Sequence, residues 1–368
     1  MIKSYTIFSS TIEQAALDQF YDALEQPFAV TGALMPDAHM GYSLPIGAVV
    51  ATDGVIVPAW VGYDIGCGMC AVPTAFKKDD VSSNAEKIFN GIYRDVPVGF
   101  KHNSKDSVWS WDKHINSTDV LDQIFMERGG LKQLGTLGGG NHFIEIGCDE
   151  EDVVWIIIHS GSRNLGHQIA THYMKLASGD GKAREGHFGF SVDSLEGKRY
   201  LTDMNFCLEF ALENRKQLVQ RVVNVIREVL CDGIVFWGDL INRNHNHAEE
   251  KNGLWIHRKG ATHAEEGMMG VIPGNMRDGS FIVEGKGNQS SLWSSSHGAG
   301  RVMGRKEAER QLNVTDFARS MSGIWATVNQ TTLDESPLAY KNIFEVMELQ
   351  KDLVKVVHHI KPLINIKG

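Results

Sequence analysis

The sequence has no apolar run long enough to cross a bilayer. Its longest strongly apolar stretch is Val153 to Ile158, far short of the ~20 residues that a spanning helix needs. The opening residues, MIKSYTIFSS, lack the apolar core of a signal peptide. Cysteine is scarce and odd in number, five residues whose spacing gives no disulfide framework, so reduced thiols are expected. An excess of basic charge is also missing. The formal net charge is -9, which withholds the usual electrostatic footprint of a nucleic-acid binder. Chemistry on RNA would need locally concentrated cations, and Arg163, Arg258, Lys259, Arg301, Arg305 and Lys306 are the candidates. Composition alone reads them as solvated surface charge. Repeats and low-complexity tracts are absent. These absences argue against a membrane-spanning helix and a disulfide framework, and the expectation is a soluble cytoplasmic protein, taken as a monomer.

Charged residues make up 22% and hydrophobic residues 42%, the balance of an ordinary globular protein. A chain of 368 residues can bury a full core, and its length alone would allow two domains. Helical spacing of Ile12, Ala15, Ala16, Phe20 and Leu24 predicts a helix over 11–26, with Thr11 as N-cap. Residues 47–57 read as strand–turn–strand about Asp53-Gly54. Residues 153–158, VVWIII, read as a buried strand that delivers His159 at its end. A long amphipathic helix is expected over 203–230, a strand over 233–237 and a late helix over 341–358. The polar segment 100–120, with two tryptophans, reads as a loop, a lid or a substrate edge. Strands and helices alternate without a regular βαβ rhythm, which favours a mixed α/β or α+β architecture.

Glycine is abundant, 38 residues against an average near 7%, and it clusters in short blocks with His, Asn and Asp. In order they are MPDAHMGYSLPIG (35–47), VGYDIGCGM (61–69), GTLGGGNHFIEI (135–146), IHSGSRNLGH (158–167), NHNHAE (244–249), HRKGATHA (257–264), IPGNM (272–276) and SHGAGRVMGR (296–305). The blocks hold nine of the 15 histidines: His39, His142, His159, His167, His245, His247, His257, His263 and His297. Histidine serves as metal ligand, acid, base or nucleophile. Asp64 and Cys67 lie three apart with glycines around the thiol. A thiolate can bridge two cations, and a neighbouring carboxylate suits a hard divalent ion. Taken alone, the same spacing suits a buried structural cysteine in a tight turn. His142, His159 and His245 are the partners that would turn it into a dinuclear site of N, O and S ligands, suited to manganese or zinc. HGAGR around His297 has the form of a phosphate cradle, with exposed backbone N–H groups, Arg301 in reach and an open imidazole. It also fits a plain glycine turn ahead of a helix starting near Arg305.

These blocks, in this order from about residue 35 to the last residue, resemble the RtcB family of RNA ligases. The resemblance implies a single α/β catalytic domain over 1–368, built around one cleft from distant segments. It implies two manganese ions that share a cysteine. One takes Asp64, Cys67 and His142; the other takes Cys67, His159 and His245. GTP is the implied cofactor, with GMP carried covalently on His297. The nucleotide contacts fall on Asn141, His142, Phe143, Ile144, Glu145, His245, Asn246, Pro273, Gly274, Asn275, Met276, Ser280, His297, Gly298, Ala299, Gly300, Tyr340 and Lys367. The implied substrates are RNA ends bearing a 3′-phosphate or 2′,3′-cyclic phosphate and a 5′-hydroxyl, in RNA repair or tRNA splicing. Four positions depart from the family pattern. Ser43 and Asn164 stand where glycine is frequent, His263 where arginine is usual and Asn275 where a serine is found. With a chain shorter than many members, they suggest a specialised repair branch. The residues also admit a dinuclear metal phosphodiesterase without nucleotide, which leaves HGAGR and Lys367 without a role. A non-catalytic RNA or protein partner with a structural zinc would instead need a closed four-ligand site.

Overall fold

Two sheets meet along a seam in the computed structural model, which describes residues 3–109, 116–183 and 185–368. The larger sheet runs Met269–Pro273, Ser280–Gly285, Val354–Lys367, Phe143–Cys148, Val153–Ser160, Gly68–Lys77 and Ile241–Asn244, all antiparallel, with Trp325–Ala326 added in parallel to Val354–Lys367. The other sheet orders Ser4–Ile7, Ala29–His39, Ile46–Thr52, Leu254–Lys259 and Asn246–Lys251. A mixed α/β architecture is therefore observed, as the sequence predicts.

Both faces of the larger sheet are covered, which explains the unbroken apolar run at 153–158. Val154, Ile156 and Ile158 pack against Leu218, Val219, Val222, Val223 and Ile226 of the long helix Leu195–Leu230. Trp155 and Ile157 face the other way, onto Val271, Ile282 and Ile360. Strand alternation then places His159 on the Trp155 side, at the strand end where the sequence puts it. Only one residue, His245, separates Ile241–Asn244 of the larger sheet from Asn246–Lys251 of the other. Beside it, a Cβ on Gly68 would lie 2.1 Å from the Arg243 carbonyl oxygen. Only glycine lets the chains pass this closely.

Several local expectations need correction. The first helix is Gln14–Glu25, and Glu13, not Thr11, holds the N-cap position. Thr11 instead bonds Ser9. The two strands about Asp53-Gly54 exist, but they pair into different sheets rather than with each other. Residues 233–237 form no strand. Val235 makes one isolated bridge to Thr74, a 3-10 turn follows at Trp237–Asp239, and the strand comes at Ile241–Asn244. The late helix covers only Ile343–Leu349, and Val354–Lys367 is a 14-residue strand. Its β-branched residues at 354, 356 and 357 suit a pleated partner better than a helix. The long helix starts eight residues before its predicted start and is otherwise as expected. Of the polar segment 100–120, residues 110–115 lie outside the described residues; 101–109 and 116–118 form neither helix nor strand, and a helix begins at Asp119. Among the described residues no helix is long and apolar enough to cross a membrane.

Arg215, fully buried on the long helix, ties the seam together. Its guanidinium donates to the Gly66 and Ser160 carbonyls at 2.8 and 2.9 Å, and to Asn242 Oδ1 and Asn244 Oδ1, both at 2.6 Å. Burial lowers its pKa to about 10, which leaves it charged at neutral pH. Arg215→Met would strand these four acceptors, at a cost of roughly 1–3 kcal/mol for each group left without water. A total loss of about 3–5 kcal/mol is expected by urea unfolding. A loss below about 1 kcal/mol, the size of an exposed ion pair, would show that the seam does not depend on it.

Candidate active site: a cysteine-centred ligand cluster beside an enclosed pocket

The seam assembles the ligand set. Cys67 ends the turn from Asp64, with its N–H donating to the Asp64 carbonyl at 3.1 Å, and His245 N–H donates to the Cys67 carbonyl at 2.8 Å. Gly66 N–H donates to the Asn246 carbonyl at 2.9 Å. Cys67 Sγ lies 3.3 Å from His142 Nε2 and 3.2 Å from His159 Nε2. His142 Nε2 is 3.1 Å from Asp64 Oδ2, and His159 Nε2 is 3.4 Å from His245 Nε2. Two triads result, Asp64–Cys67–His142 and Cys67–His159–His245, each able to hold a cation and sharing the thiol.

The donor chemistry fits metal. His142 Nδ1 and His159 Nδ1 lie 3.0 and 3.2 Å from the Leu137 and Asn141 carbonyls. A carbonyl only accepts, so His159 Nδ1 carries the proton and its Nε2 presents a lone pair to the thiol, the usual arrangement of a metal-ligating histidine, while His142 Nδ1 also lies 3.2 Å from the Arg163 guanidinium. Burial and neighbouring cations hold His159 and His245 well below the ordinary imidazole pKa, so both stay neutral. Burial acts to raise Asp64, but contact with His142 and the charge of Arg163 outweigh it and bring the carboxyl to about 2. Burial and the Asp64 charge push the Cys67 thiol far up. A cation at the shared thiol would favour the thiolate.

A third group, His247, Glu249 and His263, also has ligand atoms within reach of one another. Its cation is already in place: Arg258 NH1 sits 2.5 Å from Glu249 Oε1 and 3.2 Å from His247 Nε2. Arg258 is fully buried and Lys259 nearly so, the latter donating to the Tyr42 and Ala59 carbonyls. Neither is a surface charge. His263 stacks on His247 and contacts Glu265, away from the shared thiol.

On the other side of His159 lies a cavity of about 240 Å³, lined by His39, Ile46, Asn141, Phe143, Glu145, His159, Pro273 to Met276, His297 to Arg301, Arg305, Tyr340, Asn365 and Lys367. Its floor is one face of the larger sheet. Phe143 pairs with His159 and Lys367, and Glu145 with Ile157 and Asn365, so period-two alternation brings all the polar members to the same side. Glu145 Oε1 is buried without a hydrogen-bond partner, and burial raises the carboxyl to about 8. Lys367 Nζ donates to Glu335 Oε2 at 2.7 Å and lies 5.1 Å from the Phe143 ring centre. Glu335 also accepts from Tyr340 at 2.6 Å and from Arg305 at 2.7 Å. Arg301 is held by Asp334, Glu335, Tyr340 and its own loop at Met303, so its guanidinium is committed to protein.

His297 stands between the pocket and the cluster, its ring 4.8 Å from that of His245. His297 Nδ1 donates to Asp37 Oδ2 at 2.7 Å, and the His297 and Gly298 backbone N–H groups point at the same oxygen. Burial acts to raise Asp37, but His297 outweighs it and the net shift is downward, so the carboxylate stays ionised. That fixes the tautomer and leaves His297 Nε2 as a free lone pair. Gly300 has φ +74, and a Cβ there would lie 2.2 Å from the Asp37 carbonyl oxygen, so the glycine is what brings the loop onto Asp37.

Not every residue of the expected contact set lines the cavity. Ile144 points into the core on the opposite face of its strand. Asn246 donates to the Asp64 carbonyl and accepts from Gly260 N–H, shaping the ligand turn. Ser280 is buried with an unpartnered hydroxyl, and His142 and His245 belong to the ligand cluster. Asp37, Glu335 and Asn365 carried no expectation. Asn365 was accessible to pattern reading, two positions before Lys367 on a strand. Ser43 adopts φ +59, a region favoured by glycine. Asn275 caps its turn by accepting from Arg277 and Asp278 N–H, and Asn164 N–H donates to Gln133.

Cys67 belongs to both triads, so Cys67→Ala should lose more metal than any single His→Ala change. Elemental analysis after manganese loading checks it, and full loading of Cys67→Ala would exclude a bridging thiolate.

The family model described as "tRNA-splicing ligase RtcB" matches residues 19–129 and 117–368. The chain is 35% identical to "RNA-splicing ligase RtcB" of Escherichia coli (strain K12), over 97% of this chain and 95% of that protein. It is 30% identical to "tRNA-splicing ligase RtcB" of Nanoarchaeum equitans, over 91% and 87%. It is 28% identical to "RNA-splicing ligase RtcB homolog 1" of Entamoeba dispar, over 98% and 82%.

Proposed function

The chain belongs to the RtcB family of RNA ligases, and we propose that it joins RNA 3′-phosphate or 2′,3′-cyclic phosphate ends to 5′-hydroxyl ends through GMP carried on His297. The observation that carries this reading is the placement of His297. Its Nε2 is freed by the Asp37 contact, and it stands between a ligand cluster and a pocket with an unpartnered carboxyl oxygen.

His297 Nε2 attacks the α-phosphorus of GTP. The bond to the bridging oxygen breaks and pyrophosphate leaves. Asp37 compensates the positive charge that develops on the imidazole. An oxygen of the RNA 3′-phosphate then takes GMP from His297, and the 5′-hydroxyl oxygen attacks the activated 3′-phosphate with GMP leaving. A cyclic phosphate is first opened by water to the 3′-phosphate. Two manganese ions would be held by Asp64, Cys67 and His142 and by Cys67, His159 and His245, and would supply charge neutralisation at phosphate and a lowered pKa for hydroxyl or water. Glu145 selects the base. Ionised, it accepts from the N1–H and N2–H2 edge of guanine, whereas adenine offers no such pair of donors. Lys367, Tyr340 and Asn365 complete the wall. In this reading residues 1–368 act as one catalytic domain in RNA repair or tRNA splicing, taken as a cytoplasmic monomer.

A phosphodiesterase acting through the same ligands would leave His297, Asp37 and the Glu145 pocket without function. A structural zinc protein would have four ligands closed around one ion, not five ligand residues shared between two positions beside a cavity.

His297→Ala should form no GMP adduct with α-labelled GTP and manganese, and should not join 3′-phosphate RNA to 5′-hydroxyl RNA. Supplied with RNA already carrying GMP on its 3′-phosphate, the same variant should still seal. A persisting adduct in His297→Ala would move the nucleophile elsewhere.

A further inference from the structure

The ligand cluster has a second opening. Beyond Asp64 lies a cavity of about 690 Å³, distinct from the GTP pocket, with Phe100, Lys101, His102, Arg128, Arg163 and His167 in its lining. The charge of this cavity is opposite to that of the chain. Lys101, Arg128 and Arg163 face it, and Asp64, a ligand residue, is the acid in its lining. Glu185 acts on Tyr63, another lining residue. Among the described residues, neither Lys101 nor Arg128 has an ion pair or a side-chain hydrogen bond. Unneutralised cations gathered in one recess of a protein with net charge -9 mark an anion site.

Phe100 sets its chemistry apart from that of a plain phosphate site. Its relative exposure is 102%, the largest among the exposed large hydrophobic residues. The loop that carries it is nonetheless pinned on both sides. Leu137 N–H donates to the Pro97 carbonyl at 3.0 Å and Gly99 N–H to the Gly138 carbonyl at 2.8 Å. Asn103 donates through its backbone to the Lys132 carbonyl at 2.9 Å and through its side chain to the Leu134 carbonyl at 2.7 Å. A bare aromatic ring on a fixed loop, next to cations, matches what single-stranded nucleic acid requires: a flat surface for a base and positive charge for its phosphates. Across the cavity, Tyr63 and His167 stack with ring centres 5.0 Å apart.

We propose that this cavity receives a single-stranded RNA terminus, with Phe100 stacking on a base near the end and Lys101 and Arg128 holding the adjoining phosphates, so that the terminus reaches the ligand cluster from the Asp64 side while the nucleotide reaches it from the His297 side. The inference rests on the RNA-ligase reading and adds positioning residues to it. It also explains how an acidic protein handles RNA: the cations are local, and two of them, Lys101 and Arg128, lie outside the glycine-rich blocks, several of whose cations are committed to protein partners.

The test measures binding of two short single-stranded RNAs, one ending in a 3′-phosphate and one in a 5′-hydroxyl, to wild type, Phe100→Ala, Lys101→Ala and Arg128→Ala. All three residues are at the surface, and GMP-adduct formation with α-labelled GTP should be unchanged in every variant. Phe100→Ala should weaken binding of one or both RNAs by about tenfold. With an abasic nucleotide at the terminus the wild type should bind as the variant does, since no base remains to stack. Lys101→Ala and Arg128→Ala should each reduce the slope of log affinity against log salt by about 0.7. Whichever RNA loses affinity identifies the strand that enters here. Unchanged affinity of Phe100→Ala for both RNAs, or an equal loss on the abasic RNA, would overturn the proposal. Absence of a GMP adduct in the wild type would instead overturn the ligase reading, so the two failures are distinguishable.

Discussion

The structure depends on the seam where the two sheets exchange a chain at a single residue. His245 N–H bonds the Cys67 carbonyl and Gly66 N–H bonds the Asn246 carbonyl, so the turn and the crossover hold each other. Gly68 permits the close passage, and Arg215 supplies the buried donors that the crossing strands and turn would otherwise lack. With these fixed, Cys67 and His245 face the same space, and Val153–Ser160 needs only its strand alternation to add His159. The glycine-rich turn at 138–141 then brings His142 in from the other side. Five ligand residues from four separate segments converge because one backbone crossing is rigid.

Electrostatics divides the surroundings of that centre. Toward the proposed nucleotide pocket, buried charges are largely satisfied within the protein: Glu335 accepts from Lys367, Tyr340, Arg305 and Arg301, and its carboxyl is held near 2 despite its burial. Glu145 is the exception, buried with an unpartnered oxygen and a raised pKa, and an unpaired buried acceptor is costly unless a ligand completes it. Toward Asp64 the pattern reverses, with Lys101 and Arg128 exposed and, among the described residues, unpaired. His297 belongs to the first region by its Asp37 contact and to the centre by its approach to His245, so a group on its free nitrogen would sit where the regions meet.

The sequence revealed the chemistry better than the architecture. Glycine-rich blocks with histidine held the residues that the fold gathers around Cys67, and His297 beside them, because close approach of backbone to a charged ligand restricts residue type strongly. The strand delivering His159 was legible from its apolar run. The start of the strand Val354–Lys367, residues 354–358, was misread as the end of the late helix, since its pairing with Ser280–Gly285 and Phe143–Cys148 is a long-range fact that local spacing does not carry. Asp37 escaped notice because its partner is 260 residues away in the sequence. The basic candidates were misjudged for the same reason: Arg258 and Lys259 look like surface charge until the packing shows them buried.

The central claim is that one thiolate joins two cations at this seam, beside His297. Crystals grown with manganese, measured at a wavelength where manganese scatters anomalously, test it most directly. The account predicts two anomalous peaks, both within bonding distance of Cys67 Sγ, one also against Asp64 and His142 and the other against His159 and His245. A single peak, or two peaks of which one does not touch Cys67, would contradict it.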